Sequence, residues 1–206
     1  MAAPLPRVTL SGRRVRLEPL SLDHAEGLAE AAAEDRSSYG LTWVPDGTDA
    51  VCTYIEELLA ERSAGKVLPF AQVSVATGRP VGCTRYLDMY WWRGRQHPDE
   101  VEIGGTWLGA SAQRTGINTE AKYLLFAHAF EVYEAWRVQI VTDARNTRSR
   151  VAIERIGATF EGVLRNHRTV ADTPVPSPRQ AAVYSVIAEE WPSVRSQLRE
   201  RLDEPV

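Results

Sequence analysis

Apolar and polar positions change period several times along the chain, and each change marks an element. Residues 13–20, RRVRLEPL, alternate basic side chains with Val15 and Leu17 and predict a strand. From Ser21, a residue suited to capping a helix, Leu22, Ala25, Leu28, Ala29 and Ala32 recur at helical spacing to about Glu34. A second stripe, Val51, Ile55, Leu58 and Leu59, predicts a helix over about 49–64 with Thr48 as its cap. LPFAQVSV and VGCTRYLDMYWW flank ATGRP and read as a hairpin. VEIGGTWLG at 101–109 is the next strand, followed by a helix over about 119–134 and a strand at 137–143. A short helix at about 147–156 precedes the strand TFEGVLRNHRTV, the loop ADTPVPSP and a last strand, AAVYSVIA. A helix over about 189–202 ends the chain.

Hairpins in the first half and one β-α-β unit in the middle predict a mixed α+β fold, with a mostly antiparallel sheet. In the 119–134 helix, Ala121, Leu124, Leu125, Ala129 and Val132 form one stripe and Tyr123, Phe126, Phe130 and Tyr133 another. A helix apolar nearly all round is packed on two sides, which favours one core, and the order of elements puts helices on both faces of the sheet. His128 lies on the first stripe and reads as a satisfied core residue.

Composition narrows the function classes. The 206 residues are 44% apolar and 25% charged, the mix of a soluble globular chain, and read as one domain over 1–206 with its core at about 14–191. A net charge of −3 argues against general nucleic-acid binding. Cys52 and Cys83 are too few for a disulfide framework, which favours a reducing, cytoplasmic setting. No stretch approaches the ~20 apolar residues of a membrane span, so no membrane partner is expected.

QRTGIN at 113–118 stalls between the 101–109 strand and the helix that follows. Gly116 permits positive φ or close approach of the backbone, and Asn118 or Thr119 can cap the helix. The first N–H groups of a helix have no intrahelical partner, so an anion is welcome there, and Arg114 adds charge. The loop is neither G-x-x-x-x-G-K-[ST] nor G-x-G-x-x-G.

VEIGGTWLGASAQRTGINTEAKYLLFAHAFE with RVQIVTDARNTRSRVAIERIGATFEGVLRNH resembles the GNAT N-acetyltransferases, most closely their ribosomal-protein N-terminal acetyltransferase branch. The likeness runs from about Arg14 to Trp191. It implies a six- to seven-stranded, mostly antiparallel sheet with a V-shaped split that holds acetyl-CoA as co-substrate, and no metal. By that resemblance the 113–118 loop, with Thr115, Ile117 and Thr119, cradles the pyrophosphate. Asn118 stands where the family's [QR]-x-x-G-x-[GA] loop ends in a small residue. The pantetheine arm would lie beside Trp107 and Leu108, with Asn146 and Arg148 further along. Arg145, Arg148 and Arg150 cluster toward the same end. Trp43, Tyr90, Trp91 and Trp92 fall in the half of the chain that forms the acceptor groove of that family.

Acyl transfer to an amine needs a proton acceptor, a stabilised oxyanion and a tolerated thiolate. Glu102 is the first candidate base, with a salt bridge to an arginine as the alternative. Period-two alternation places it with Gly104, Thr106 and Leu108, opposite Val101, Ile103 and Trp107. Ile153 stands where many relatives carry an acidic Tyr, and Ser149 fits the place of the branch's Ser. The branch's Glu on the next strand is absent, and the chain reads Asn166-His167-Arg168 there. His167 is a second-rank base. The expected activity is transfer of acetyl to a primary amine, a protein N-terminus or a small molecule, by direct attack in a ternary complex. A non-catalytic acyl-CoA-binding module is the alternative. A homodimer is compatible with the resemblance.

Overall fold

The computed structural model describes residues 4–169 and 177–203. Eight strands form one sheet: β1 (Leu10–Ser11), β2 (Val15–Pro19), β3 (Leu68–Ser74), β4 (Pro80–Tyr90), β5 (Glu100–Leu108), β6 (Arg137–Asp143), β7 (Thr159–Leu164) and β8 (Ala181–Ile187). Their order is β1-β2-β3-β4-β5-β6-β8-β7. Among the described residues only β5 and β6 pair in parallel. The strand beyond six or seven is β1, whose two residues pair with Leu17 and Arg16.

The first helix is preceded by a 3₁₀ turn at Leu22–His24, where Nδ1 of His24 accepts from the Ser21 backbone N–H at 3.1 Å; α1 proper spans Ala25–Ala33. Next come α2 (Thr48–Ser63), α3 (Ile117–Ala127), α4 (Thr147–Arg155) and α5 (Trp191–Asp203). Thr48 is the first residue of α2 rather than its cap, which is Gly47 at φ 81°. The helix expected to reach 134 is α-helical only to Ala127 and continues as a π turn over His128–Val132. Tyr86, buried on β4, donates its hydroxyl proton to the Leu125 carbonyl beside that turn. His128 is buried between Tyr86 and Tyr133 as expected, but its Nδ1 has no partner among the described residues. Burial, aided by His97, pushes its pKa down to about 4.

Helices cover both faces. On one, Leu125 and Phe126 of α3, Ile153 of α4 and Trp191 and Leu198 of α5 pack over Val15, Phe70, Tyr86, Ile103 and Val138. On the other, Leu28 of α1 and Ile55 and Leu58 of α2 pack over Ala71, Val73, Cys83 and Trp107. The strand expected over 159–170 ends at Leu164 and turns, with positive φ at Asn166 and Arg168. Most of the 171–178 loop lies outside the described residues.

Candidate active site in the split between two strands

The parallel pair β5–β6 is short. Glu100 pairs with Arg137, Val101 with Val138 and Glu102 with Gln139, and there the pairing ends. Both strands run on, β5 to Leu108 and β6 to Asp143, each still bonded to its outer neighbour. Between them the backbone edges are unpaired, and buried peptide groups left so need other partners. This is the V-shaped split.

A bulge in β5 shapes its floor. Arg85 pairs with Gly104 and Cys83 with Trp107, so Gly105 and Thr106 together face Thr84. Gly105 has φ 56°, a region glycine enters at little cost. The extra residue reverses the strand's alternation. Leu108 joins the face of Val101 and Ile103, Thr106 meets Lys122 of α3 on that same face, and Trp107 packs with α1 and α2 on the opposite one. This corrects the assignment of all three by strict alternation.

A cleft of about 1330 Å³ fills the split. Glu102, Trp107, Leu108, Gln113, Arg114, Gly116, Asn118, Thr119, Asn146, Arg148, Ser149 and Trp43 all line it. Thr115 and Ile117 do not: the Thr115 hydroxyl donates to the Ala112 carbonyl at 2.7 Å, and Ile117 joins the α3-side core. Tyr90 and Trp91 are also elsewhere, Tyr90 stacked on Trp92 at 5.5 Å and Trp91 against the core. The aromatic side chains that line the cleft are instead Tyr39, Trp43, Tyr54 and Trp107. His167 borders a separate surface hollow with residues 163–166. Its neighbour Arg168 turns into the cleft.

The 113–118 loop is built for close approach. Gly116 caps α3 at φ 84°, ψ −12°, and Arg114 is also left-handed at φ 64°. Gln113 fastens the loop, donating to the Leu108 carbonyl at 3.0 Å and Ser38 Oγ at 3.1 Å. Arg148 joins the knot by donating to Gln113 Oε1 and the Ser38 carbonyl. Glu120, in the first turn of α3, is structural: it accepts the backbone N–H groups of Arg13, Arg14 and Val15. Asn118 Oδ1 is buried without a partner among the described residues.

Asn146 caps α4 by accepting the Ser149 N–H at 3.0 Å. Of the three clustered arginines only Arg148 reaches the cleft. Arg145 pairs with Asp143 at 2.9 Å, and Arg150 donates to Tyr184 Oη at 2.9 Å.

Glu102 lies at the apex of the split, its side chain 2% exposed. Arg168 grips both carboxylate oxygens, Nη1 to Oε1 at 2.8 Å and Nη2 to Oε2 at 2.5 Å, and Gln139 donates to Oε2 at 3.3 Å. Asp88 takes a further bond from Arg168 at 2.6 Å. The hydrogen bond to Glu102 is the main reason the Arg168 pKa is raised, against the pull of burial. Arg168→Met would strand the carboxylate in the interior. A carboxylate left buried without its cation is costly. Urea unfolding should show a loss of about 3 kcal/mol at neutral pH. A loss under about 1 kcal/mol would mean that the carboxylate finds another partner in the variant.

Lys122 is the second group the pattern of residues did not single out. It is buried on α3, lines the cleft and donates to Thr106 Oγ1 at 2.7 Å, which shares a hydrogen bond with Thr84 Oγ1 at 2.9 Å. Burial lowers its pKa to about 7. A lysine inside the run AKYLLFAHAF was the available signal.

These features agree with what is known of similar proteins. The family model for the acetyltransferase (GNAT) domain matches residues 14–159. An assigned acetyltransferase from T. thermophilus is 35% identical and superposes with a TM-score of 0.79 over 96% of this chain and 98% of its own. A GCN5-related N-acetyltransferase from Brucella melitensis is 27% identical, with a TM-score of 0.80 over 96% and 86%. RimJ of Mycobacterium smegmatis, in complex with CoA-disulfide, shares the fold at 22% identity and a TM-score of 0.74 over 95% and 92%. No curated protein matches the sequence. A family match over most of the chain, on a sheet that splits at its parallel pair β5–β6, decides the family: this chain is a member of the GNAT acetyltransferases and an acyltransferase.

Proposed function

We propose that the chain transfers the acetyl group of acetyl-CoA to a primary amine by direct attack in a ternary complex. The observation that carries this is the pair of unpaired strand edges opening onto a glycine-capped helix N-terminus. A pyrophosphate finds free N–H groups at the start of α3 with Arg114 beside them. An amide-rich arm finds the edge of β5 left open beyond Glu102, alongside Trp107 and Leu108, and the unpartnered Asn118 Oδ1 offers an acceptor in the same wall. Acetyl-CoA supplies an activated thioester; the remaining work belongs to the chain.

The acceptor amine enters from the side of Trp43, Tyr54 and Trp107. Its nitrogen forms the new C–N bond as the C–S bond breaks, and its proton must leave. Glu102 is the base in this reading and acts through an ordered water, because Arg168 occupies both its oxygens along the side-chain plane. Ser149, in the first turn of α4, donates a hydrogen bond from its hydroxyl to the departing sulfur, which leaves as the CoA thiolate and takes its proton from solvent.

Calorimetric titration of acetyl-CoA, followed by a screen of amines and short peptides for release of CoA thiol, tests the reading. Binding with amine-dependent thiol release is the expected result. Absence of acetyl-CoA binding would reduce the 113–118 loop to a turn and sink the proposal.

A further inference from the structure

The acceptor side of the cleft holds a charge that the fold leaves unanswered. Arg85 sits on β4 opposite Gly104. Its guanidinium presses on the Gly105 backbone so closely that a Cβ there would lie 2.6 Å from Cζ. Tyr54 Oη accepts from Nη1 at 3.4 Å, the long end of a hydrogen bond. Nε is buried with no partner among the described residues. No carboxylate forms a salt bridge with Arg85 among the described residues, whereas Arg168 in the same cleft holds two.

A guanidinium drawn partly out of water is costly unless an acceptor meets it. Its planar fork suits a carboxylate, which can take two parallel N–H bonds. The surroundings keep the place open. Gly104 and Gly105 put no side chain on the floor, and Glu102 is committed to Arg168. Glu57 and Glu61 of α2 line the same cleft without pairing to Arg85, so one wall favours a cation while the floor offers one. An acceptor carrying both signs satisfies both.

Resting on the reading of the acceptor side given above, we infer that Arg85 is a specificity-determining residue that binds a carboxylate of the acceptor. The acceptor is then a free amino acid or a similar small amine with a carboxylate close to its nitrogen. A peptide N-terminus carries an amide at that place, and a polyamine carries nothing. The aromatic walls, where Trp43 and Tyr54 lie 5.6 Å apart between ring centres, suit a ring-bearing side chain.

Binding to the CoA-saturated protein tests this without requiring turnover. L-Phenylalanine, L-tyrosine and L-tryptophan are titrated alongside their amides and 2-phenylethylamine into the wild type, Arg85→Met and Arg85→Lys. At least one amino acid should bind the wild type tenfold or more tightly than its amide. Arg85→Met should bring acid and amide within about twofold, and Arg85→Lys should keep part of the preference by charge alone. CoA affinity and the thermal midpoint of Arg85→Met should stay near wild type. Equal binding of acids and amides, no binding of any acid, or a preference that survives in Arg85→Met would overturn the inference. Loss of CoA binding by the wild type would instead sink the acetyltransfer reading, so the two failures are told apart in one series of titrations.

Discussion

Gly116→Val should lower acetyl-CoA affinity at least a hundredfold and leave the protein folded. Position 116 has φ 84° and ψ −12°, which a β-branched residue adopts only under strain of roughly 1–2 kcal/mol. A Cβ there would also stand 3.2 Å from Cδ and Nε of Arg14, a flexible side chain that can swing aside. The strain alone predicts a thermal midpoint lower by less than about 10 °C for a chain of this size. On the proposed reading binding suffers more, because a bulky side chain at 116 crowds the start of α3 where the phosphate would approach. Calorimetry against acetyl-CoA and a melting curve on the same sample check both halves. An affinity within threefold of wild type would remove the phosphate from the start of α3.

The second large effect concerns stability. Lys122 titrates near pH 7 in the folded chain and near 10.5 when unfolded. Between those values the unfolded chain holds a proton that the folded one has lost, so stability rises with pH across the window. At and below about pH 7 the charge is present in both states and the full cost of its burial is felt. Lys122→Met removes that cost at nearly constant volume and leaves Thr106 bonded to Thr84. Urea unfolding of the ligand-free protein should show a gain of about 3 kcal/mol at pH 6, fading above pH 10. A methionine variant less stable at pH 6 would show that Lys122 has an anionic partner in solution. A buried lysine held against its own cost is what a functional position looks like, and an anionic co-substrate in the cleft is the natural reason for it.

Long periodic stretches carried the fold. The strand–loop–helix over 101–127 and the strand at 137–143 were legible because a period of two gives way to one of 3.6 and returns to two, each over several residues. Errors fell where one residue breaks the period. The β5 bulge turns Trp107 to the opposite face, and Gly105 beside Gly104 was its only trace in the sequence. The π turn at His128 has no periodic signature at all. Tyr90 and Trp91 were grouped with Trp43 because that half of the chain forms the acceptor groove in the family it resembles, yet the end of β4 carries them away from the cleft, where Tyr90 stacks on Trp92.

The site was less legible than the fold. Local geometry, as at Gly116 and the Asn146 cap, can be read from neighbours in the chain. The Glu102–Arg168 grip joins residues 66 apart and depends on a turn that places Arg168 at φ 64°. A strand reading of 159–170 could not produce that turn. Arg85 was invisible for another reason: an arginine on an alternating strand is ordinary until its neighbours are seen to offer no anion.

The three rungs that join β5 to β6 make the sheet two plates, five strands on one side and three on the other, riveted at one end. On the proposed reading, a pantetheine arm bonded to the open edges stands in for a missing strand. The enzyme completes its own sheet with part of its substrate, and each departure of product reopens the seam.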